Sequence, residues 1–224
     1  MRPMKAPLTF YFDFISPYAY LGWTQIHALA ARHGRTVLPV PILFAALLDA
    51  HGHKGPAEIP PKRVYIFKDV LRTAHQWKVP LGPPPAHPFN PLLALRVASL
   101  ETDAEAQKHV IDVLFRAVWG GDGPGVTDPT VVAELLSEEG LDGEGMVRAA
   151  QGDAAKARVR TATEEALRAG VFGVPTVLAD GELFWGCDAF PHVERRLEGA
   201  DPVDAIDLGR WAALPAQSKR KAAQ

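Results

Sequence analysis

A chain of 224 residues, 47% apolar and 22% charged, is long enough to bury a sizeable core and too apolar to stay disordered. Its formal net charge of −2 provides no broad basic field, so nucleic acid is not an expected partner. The single cysteine, Cys187, excludes an internal disulfide, a cysteine-rich zinc site and a Cys-x-x-Cys redox pair, and it suits a reducing compartment.

From the N-terminus, Met1-Arg2-Pro3-Met4-Lys5 is basic, but the apolar residues after it alternate with polar ones and carry Asp13. A signal peptide would show a continuous apolar core there. No run reaches the roughly 18 apolar residues of a membrane-spanning helix either. A cytoplasmic chain with no membrane partner is expected. Leu8-Thr9-Phe10-Tyr11-Phe12-Asp13-Phe14 predicts a buried, aromatic-rich strand. Ser16-Pro17 then opens a helix, with serine as the N-cap and proline at the first position, where its missing N–H has no helical partner. Gly22, Ile26, Leu29 and Ala30 follow at helical spacing, and Gly34 suits the C-terminal cap. Val37-Leu38-Pro39-Val40-Pro41-Ile42 predicts a second strand, its prolines placing it at a sheet edge. The opening is thus strand–helix–strand, the parallel unit of α/β folds.

Between residues 43 and 170 no strand is evident. Helices are predicted over 62–76, 92–101, 104–119, 129–139 and 153–169, with breakers such as Pro80-Leu81-Gly82-Pro83-Pro84-Pro85 between them. Strand character returns at Pro175-Thr176-Val177-Leu178. Ala179-Asp180-Gly181-Glu182 turns the chain, Leu183-Phe184-Trp185 pairs back, and Asp188 is expected to cap a last helix over 190–197. Residues 211–224 read as a flexible tail. This order is that of an α/β, thioredoxin-like domain (7–43 and 170–210) interrupted by an all-helical insertion (44–169).

In open α/β folds, ligands sit at the carboxyl ends of strands and the N-termini of helices. Ser16 lies at such a junction, where a hydroxyl either caps the helix or donates to an anion resting on its end. Nothing in the chain is like the Gly-x-Ser-x-Gly elbow of a serine hydrolase, and no P-loop or dinucleotide fingerprint is present. Lys62 and Arg63 are candidates to meet a substrate carboxylate, and Phe44, Tyr65, Trp77, Phe89 and Trp119 are candidates to line an aromatic pocket. His51, His75, His87 and His109 show no metal-ligand spacing, and no metal is expected.

The run from Phe10 through Ser16-Pro17-Tyr18-Ala19-Tyr20-Leu21-Gly22 resembles the start of the 2-hydroxychromene-2-carboxylate isomerases, which stand beside the kappa-class glutathione transferases in the DsbA-like branch of thioredoxin folds. Val171-Phe172-Gly173-Val174-Pro175-Thr176-Val177 with Phe184-Trp185-Gly186-Cys187-Asp188 is similar to the family's second signature. Asn90-Pro91-Leu92-Leu93-Ala94-Leu95-Arg96 and Ala117-Val118-Trp119 recur between them. Disulfide-exchanging relatives open the first helix with Cys-Pro-x-Cys, whereas this chain has Ser16-Pro17-Tyr18-Ala19.

The resemblance therefore implies that the reactive sulfur is the thiol of bound glutathione, with Ser16 favouring its thiolate. It implies a cis bond at Val174-Pro175 that leaves the Val174 backbone free to pair with glutathione. It places Gly186, Cys187 and Asp188 at the γ-glutamyl end, with Asp188 also a helix cap and Cys187 a small buried residue rather than a reactive thiol. His53 stands where the family tends to place an asparagine in contact with glutathione or substrate, and Ala189 where relatives commonly carry arginine. Asn90 is a substrate-contact candidate from the family-like run. The implied activity is glutathione-dependent interconversion of 2-hydroxychromene-2-carboxylate and trans-o-hydroxybenzylidenepyruvate or a related aromatic catabolite. A kappa-like glutathione transferase or peroxidase and a non-catalytic binding module of the same fold are the alternatives, and a homodimer is left open.

Overall fold

In the computed structural model, which describes residues 5–215, the aromatic run forms strand β1 (Leu8–Phe12) and the chain then enters helix α1 (Pro17–Arg32). Gly34 follows in the left-handed conformation (φ 64°) that a side chain disfavours and a helix end exploits. Strand β2 (Val37–Pro41) runs parallel to β1. After a long helical stretch, β3 (Thr176–Ala179) joins the other side of β1 antiparallel, and β4 (Glu182–Trp185) completes a hairpin. The hairpin turns on Asp180 (φ 47°) and Gly181 (φ 84°), the paired positive angles that match strand twist. The sheet order is β2-β1-β3-β4, so the proline-bearing strand does lie at an edge, where missing N–H groups disturb no ladder.

The helical stretch comprises α2 (Phe44–His51), α3 (Pro60–Trp77), α4 (Leu92–Ala98), α5 (Ala104–Trp119), α6 (Pro129–Glu138), α7 (Gly143–Gln151) and α8 (Asp153–Arg168). Two of these were not predicted, for physical reasons. The N-cap of α2, Leu43, makes no side-chain cap bond. Instead the Phe44 N–H donates to Asp13 Oδ2 (2.9 Å), so the cap comes from the end of β1, 31 residues earlier. Helix α7 carries Gly143 and Gly145 in its first turn, which read as loop. The Asp142 side chain accepts from Gly145 N–H and secures the start.

At the C-terminal end, Asp188 does not cap the last helix, α9 (Phe190–Leu197). It lies inside a 3₁₀ turn, Cys187–Ala189, and the cap position is Ala189, with no side-chain bond. The expected tail begins too early at 211: α10 (Gly209–Ala212) is a helical turn, while 216–224 lie outside the described residues.

Side chains alternate across the sheet. Leu8, Phe10, Phe12 and Val177 face α1 and α5, in a buried cluster that continues without a break through Leu95 of α4, Phe115 of α5, Leu136 of α6 and Met146 of α7. Tyr11 faces the other way, with Ile42, Leu47, Val171, Val174 and Ala166 of α8. The chain between β2 and β3 thus covers both faces of the sheet, α8 on one side and α4–α7 beyond α1 on the other. Aromatic contacts dock α5 on the end of β1: Phe14 and Phe115 ring centres are 4.6 Å apart, and Phe12 and Phe115 5.5 Å.

Trp119, at the last turn of α5, is only 2% exposed, and its indole N–H donates to the Phe14 carbonyl at 2.8 Å. Replacing Trp119 with Phe leaves that buried carbonyl unpaired, a loss of about 1–3 kcal/mol. Urea denaturation of Trp119→Phe should show a stability loss of that size with an unchanged far-UV spectrum, and an unchanged midpoint would remove this bond from the account.

Candidate active site

Residues 13–16 connect β1 to α1 and form the floor of the site. Ser16 has extended backbone (φ −94°, ψ 114°), which aims its hydroxyl at the first free N–H groups of α1. Its Oγ accepts from Ala19 N–H at 3.1 Å, and its proton reaches toward the Val174 carbonyl at a long 3.5 Å. That outgoing bond is weak by length, so the hydroxyl proton is readily redirected. Ser16 is 8% exposed, and a buried helix N-terminus favours negative charge beside it.

The Val174-Pro175 bond is cis. The Pro175 carbonyl accepts from Gly186 N–H (2.8 Å), which draws the two late segments together. Gly186 adopts φ 89°, and a Cβ there would run into the Asp188 carboxylate, so this close approach requires glycine. Cys187 backs onto Gly22 of α1. Burial and the neighbouring Asp188 carboxylate push its thiol up to about 12, so it stays protonated at neutral pH. Ser16, Val174, Pro175, Gly186, Cys187 and Asp188 therefore share one end of the sheet. Among the described residues, no intramolecular hydrogen bond engages the Val174 N–H or the Asp188 carboxylate.

The other candidates are distributed differently. His53 is exposed after α2, its N–H donating to the Leu48 carbonyl (2.9 Å) and its ring 6.1 Å from that of His51. Lys62 is exposed in the first turn of α3. Asn90 is exposed, and its Oδ1 accepts from Leu92 N–H, which supports the start of α4. Phe89 is half-buried beside His87, with ring centres 6.5 Å apart. Trp119 lies beneath the junction, its N–H already engaged. Tyr65 faces solvent at 62% exposure, and Phe44 packs with Tyr11 on the far face of the sheet, so neither reaches Ser16. Trp77 lines a cleft of about 680 Å³ with Trp23, His27, Lys108 and Arg116, which none of Ser16, Val174 or Asp188 lines.

Three site features escaped the sequence. Tyr18 donates to Asp69 Oδ2 at 2.8 Å, tying α3 across the mouth of α1, and burial and this carboxylate raise the phenol's pKa. His87 Nε2 lies 3.0 Å from the Ile15 carbonyl, next to Ser16 in the chain. Its ring is surrounded by Phe67 and Trp119, each with centre 5.5 Å away, and by Phe89. Burial holds this imidazole below the usual histidine range. Asp13 is completely buried, and its carboxylate accepts from Ile15 N–H (3.1 Å) and Phe44 N–H (2.9 Å). The one available signal for it was an acid set in an otherwise aromatic run.

A four-stranded mixed sheet, with a helix N-terminus facing a cis-proline loop and a large helical segment between the halves, defines a DsbA-like thioredoxin domain. The DSBA-like thioredoxin domain family matches residues 7–198. The 2-hydroxychromene-2-carboxylate isomerase of Sphingobium xenophagum is 30% identical over 87% of this chain and 99% of its own length. A solved 2-hydroxychromene-2-carboxylate isomerase superposes with a TM-score of 0.79 at 26% identity, over 90% of this chain and 98% of that one. A kappa-class glutathione transferase of Caenorhabditis elegans is 27% identical over 85% of this chain and 91% of its own. The chain belongs to the 2-hydroxychromene-2-carboxylate isomerase family within the DsbA-like class, and it is an enzyme of the isomerase kind.

Burial raises the Asp13 carboxyl from 3.8 to about 7, against the lowering effect of its two backbone bonds. An acid with a raised folded-state pKa stabilises the fold at low pH, and that contribution is lost as pH rises toward about 7. Denaturation at pH 5 and pH 8 should show the wild type losing more stability across this window than Asp13→Asn, and equal slopes would place the Asp13 pKa near its ordinary value.

Proposed function

We propose that the chain is a glutathione-dependent isomerase that interconverts 2-hydroxychromene-2-carboxylate and trans-o-hydroxybenzylidenepyruvate, or an aromatic catabolite of that kind. The observation that carries the reading is the pairing of a Ser16 hydroxyl on a helix N-terminus with the Val174 carbonyl across from it, at a site where the chain's own thiol is buried and protonated. The donor set fits glutathione. A free backbone N–H at Val174 suits strand-like pairing with a peptide, and the unpaired Asp188 carboxylate suits an α-ammonium. When bound, glutathione supplies the thiolate that adds reversibly to the conjugated carbon, so that a double bond becomes a single bond free to rotate.

Each residue then has a task at a stated atom. Ser16 turns its Oγ–H from Val174 onto the sulfur and, with the α1 N-terminus, lowers the thiol's pKa. One unit of lowering is worth about 1.4 kcal/mol. Gly186 and Cys187 offer backbone beside Asp188 at the γ-glutamyl end. His53 takes the asparagine's place as a hydrogen-bond donor. Lys62, on the helix that Tyr18 ties to the mouth, meets the substrate carboxylate, with the Asn90 amide, the Phe89 ring and the edge of Trp119 along the aromatic wall.

A kappa-like transferase is the second reading, favoured by the match to the kappa-class enzyme. It consumes glutathione, whereas an isomerase returns it. Over many turnovers of 2-hydroxychromene-2-carboxylate with glutathione, total thiol should stay constant, and Ser16→Ala should lower kcat/KM by roughly 10²-fold while the fold is kept. Thiol loss in step with product would favour the transferase, and full activity of Ser16→Ala would remove Ser16 from the chemistry.

A further inference from the structure

The imidazole of His87 has two nitrogens in different situations. The partner of Nε2 is a carbonyl, Ile15 O, which can only accept, so Nε2 carries the hydrogen. The neutral ring then presents Nδ1 as an acceptor, and Nδ1 is buried with no hydrogen-bond partner among the described residues. Its surroundings offer none. Phe67 and Phe89 have no donor, the Trp119 N–H is held by Phe14 O, and the nearby Arg63 guanidinium sits over the Phe67 ring, 5.8 Å from its centre. Buried acceptors are ordinarily paired, and this orphan, set in an aromatic wall on a ring whose other nitrogen bonds the residue before Ser16, has the chemistry of a ligand contact.

We propose that His87 is a substrate-contacting residue whose Nδ1 accepts the hydroxyl of an aromatic substrate that carries this hydroxyl ortho to its side chain. The proposal rests on the isomerase reading for the identity of that substrate. It gives His87 a proton-transfer task as well. In opening a cyclic hemiketal, Nδ1 takes the hydrogen of the hydroxyl on the hemiketal carbon as that carbon–oxygen bond becomes a carbonyl. The bond from this carbon to the ring oxygen breaks, its electron pair leaves with the oxygen, and the imidazolium returns the proton to the phenolate. No co-reactant is needed. The Nε2–H···Ile15 bond persists throughout and holds the ring in register with Ser16. Burial, which disfavours the charged ring, keeps the acceptor unprotonated at neutral pH.

The probes are 2-hydroxycinnamate and cinnamate, which differ only in the ortho hydroxyl and need no glutathione. Calorimetric titration of the full chain should show 2-hydroxycinnamate binding about five- to tenfold tighter than cinnamate, the effect of one hydrogen bond. His87→Gln keeps an amide N–H for Ile15 O but moves its one acceptor, Oε1, away from the position of Nδ1, so it should erase this preference and leave cinnamate affinity unchanged. In the wild type, the His87 Nδ1 resonance, assigned by its loss in His87→Gln or by through-bond correlation if that variant does not fold, should move with 2-hydroxycinnamate and stay put with cinnamate. The proposal is overturned by equal weakening of both ligands in His87→Gln, by no preference in the wild type, or by an unmoved Nδ1. The isomerase reading is judged separately by thiol-dependent turnover. A chain that turns over but shows no preference is an isomerase that leaves the hydroxyl to solvent.

Discussion

Four consecutive residues at the end of β1 present polar groups in an environment that is otherwise aromatic, and buried polar groups destabilise a fold unless they are paired. Each finds its partner in a different part of the chain. The Asp13 carboxylate holds the start of α2, the Phe14 carbonyl holds the last turn of α5, the Ile15 carbonyl holds the loop before α4, and the Ser16 hydroxyl reaches the loop before β3. The junction is thereby fixed from three sides, with the long Ser16–Val174 bond on the fourth. Ser16 is only as well placed as the helices that surround it, so the long helical stretch positions this junction besides contributing to the core.

Under the proposed function, the same junction is what suits a borrowed sulfur. A helix N-terminus and a cis-proline loop face each other here, and the chain has a serine at the start of that helix. Its one cysteine lies nearby, but buried against α1 and beside a carboxylate, both of which disfavour the thiolate.

His53 and Ala189, the two positions that the resemblance implies differ from the family, lie away from this arrangement. Ala189 stands at the cap position of α9, and His53 is on an exposed loop after α2. Neither takes part in the hydrogen bonds of the junction. Asp188 acquires more freedom from the same geometry, because it does not cap α9.

Much of the fold was legible in the sequence because its signals are local. Aromatic alternation made β1, Ser16-Pro17 made the start of α1, the prolines of Val37–Pro41 put β2 at an edge, and Asp180-Gly181 made the hairpin turn. The Ser16 junction and the late signature were legible for the same reason, since each lies in a short run of residues. Only the tertiary structure decided the rest. Helix α2 is capped from 31 residues away, α7 begins on glycines that locally read as loop, and α9 starts without the side-chain cap that Asp188 promised. His87 in a proline-rich loop and Asp13 in an aromatic strand acquire their character from burial and from distant carbonyl and amide partners. A side chain's type is written in the sequence, but its solvation and its hydrogen-bond partner are properties of the packed chain.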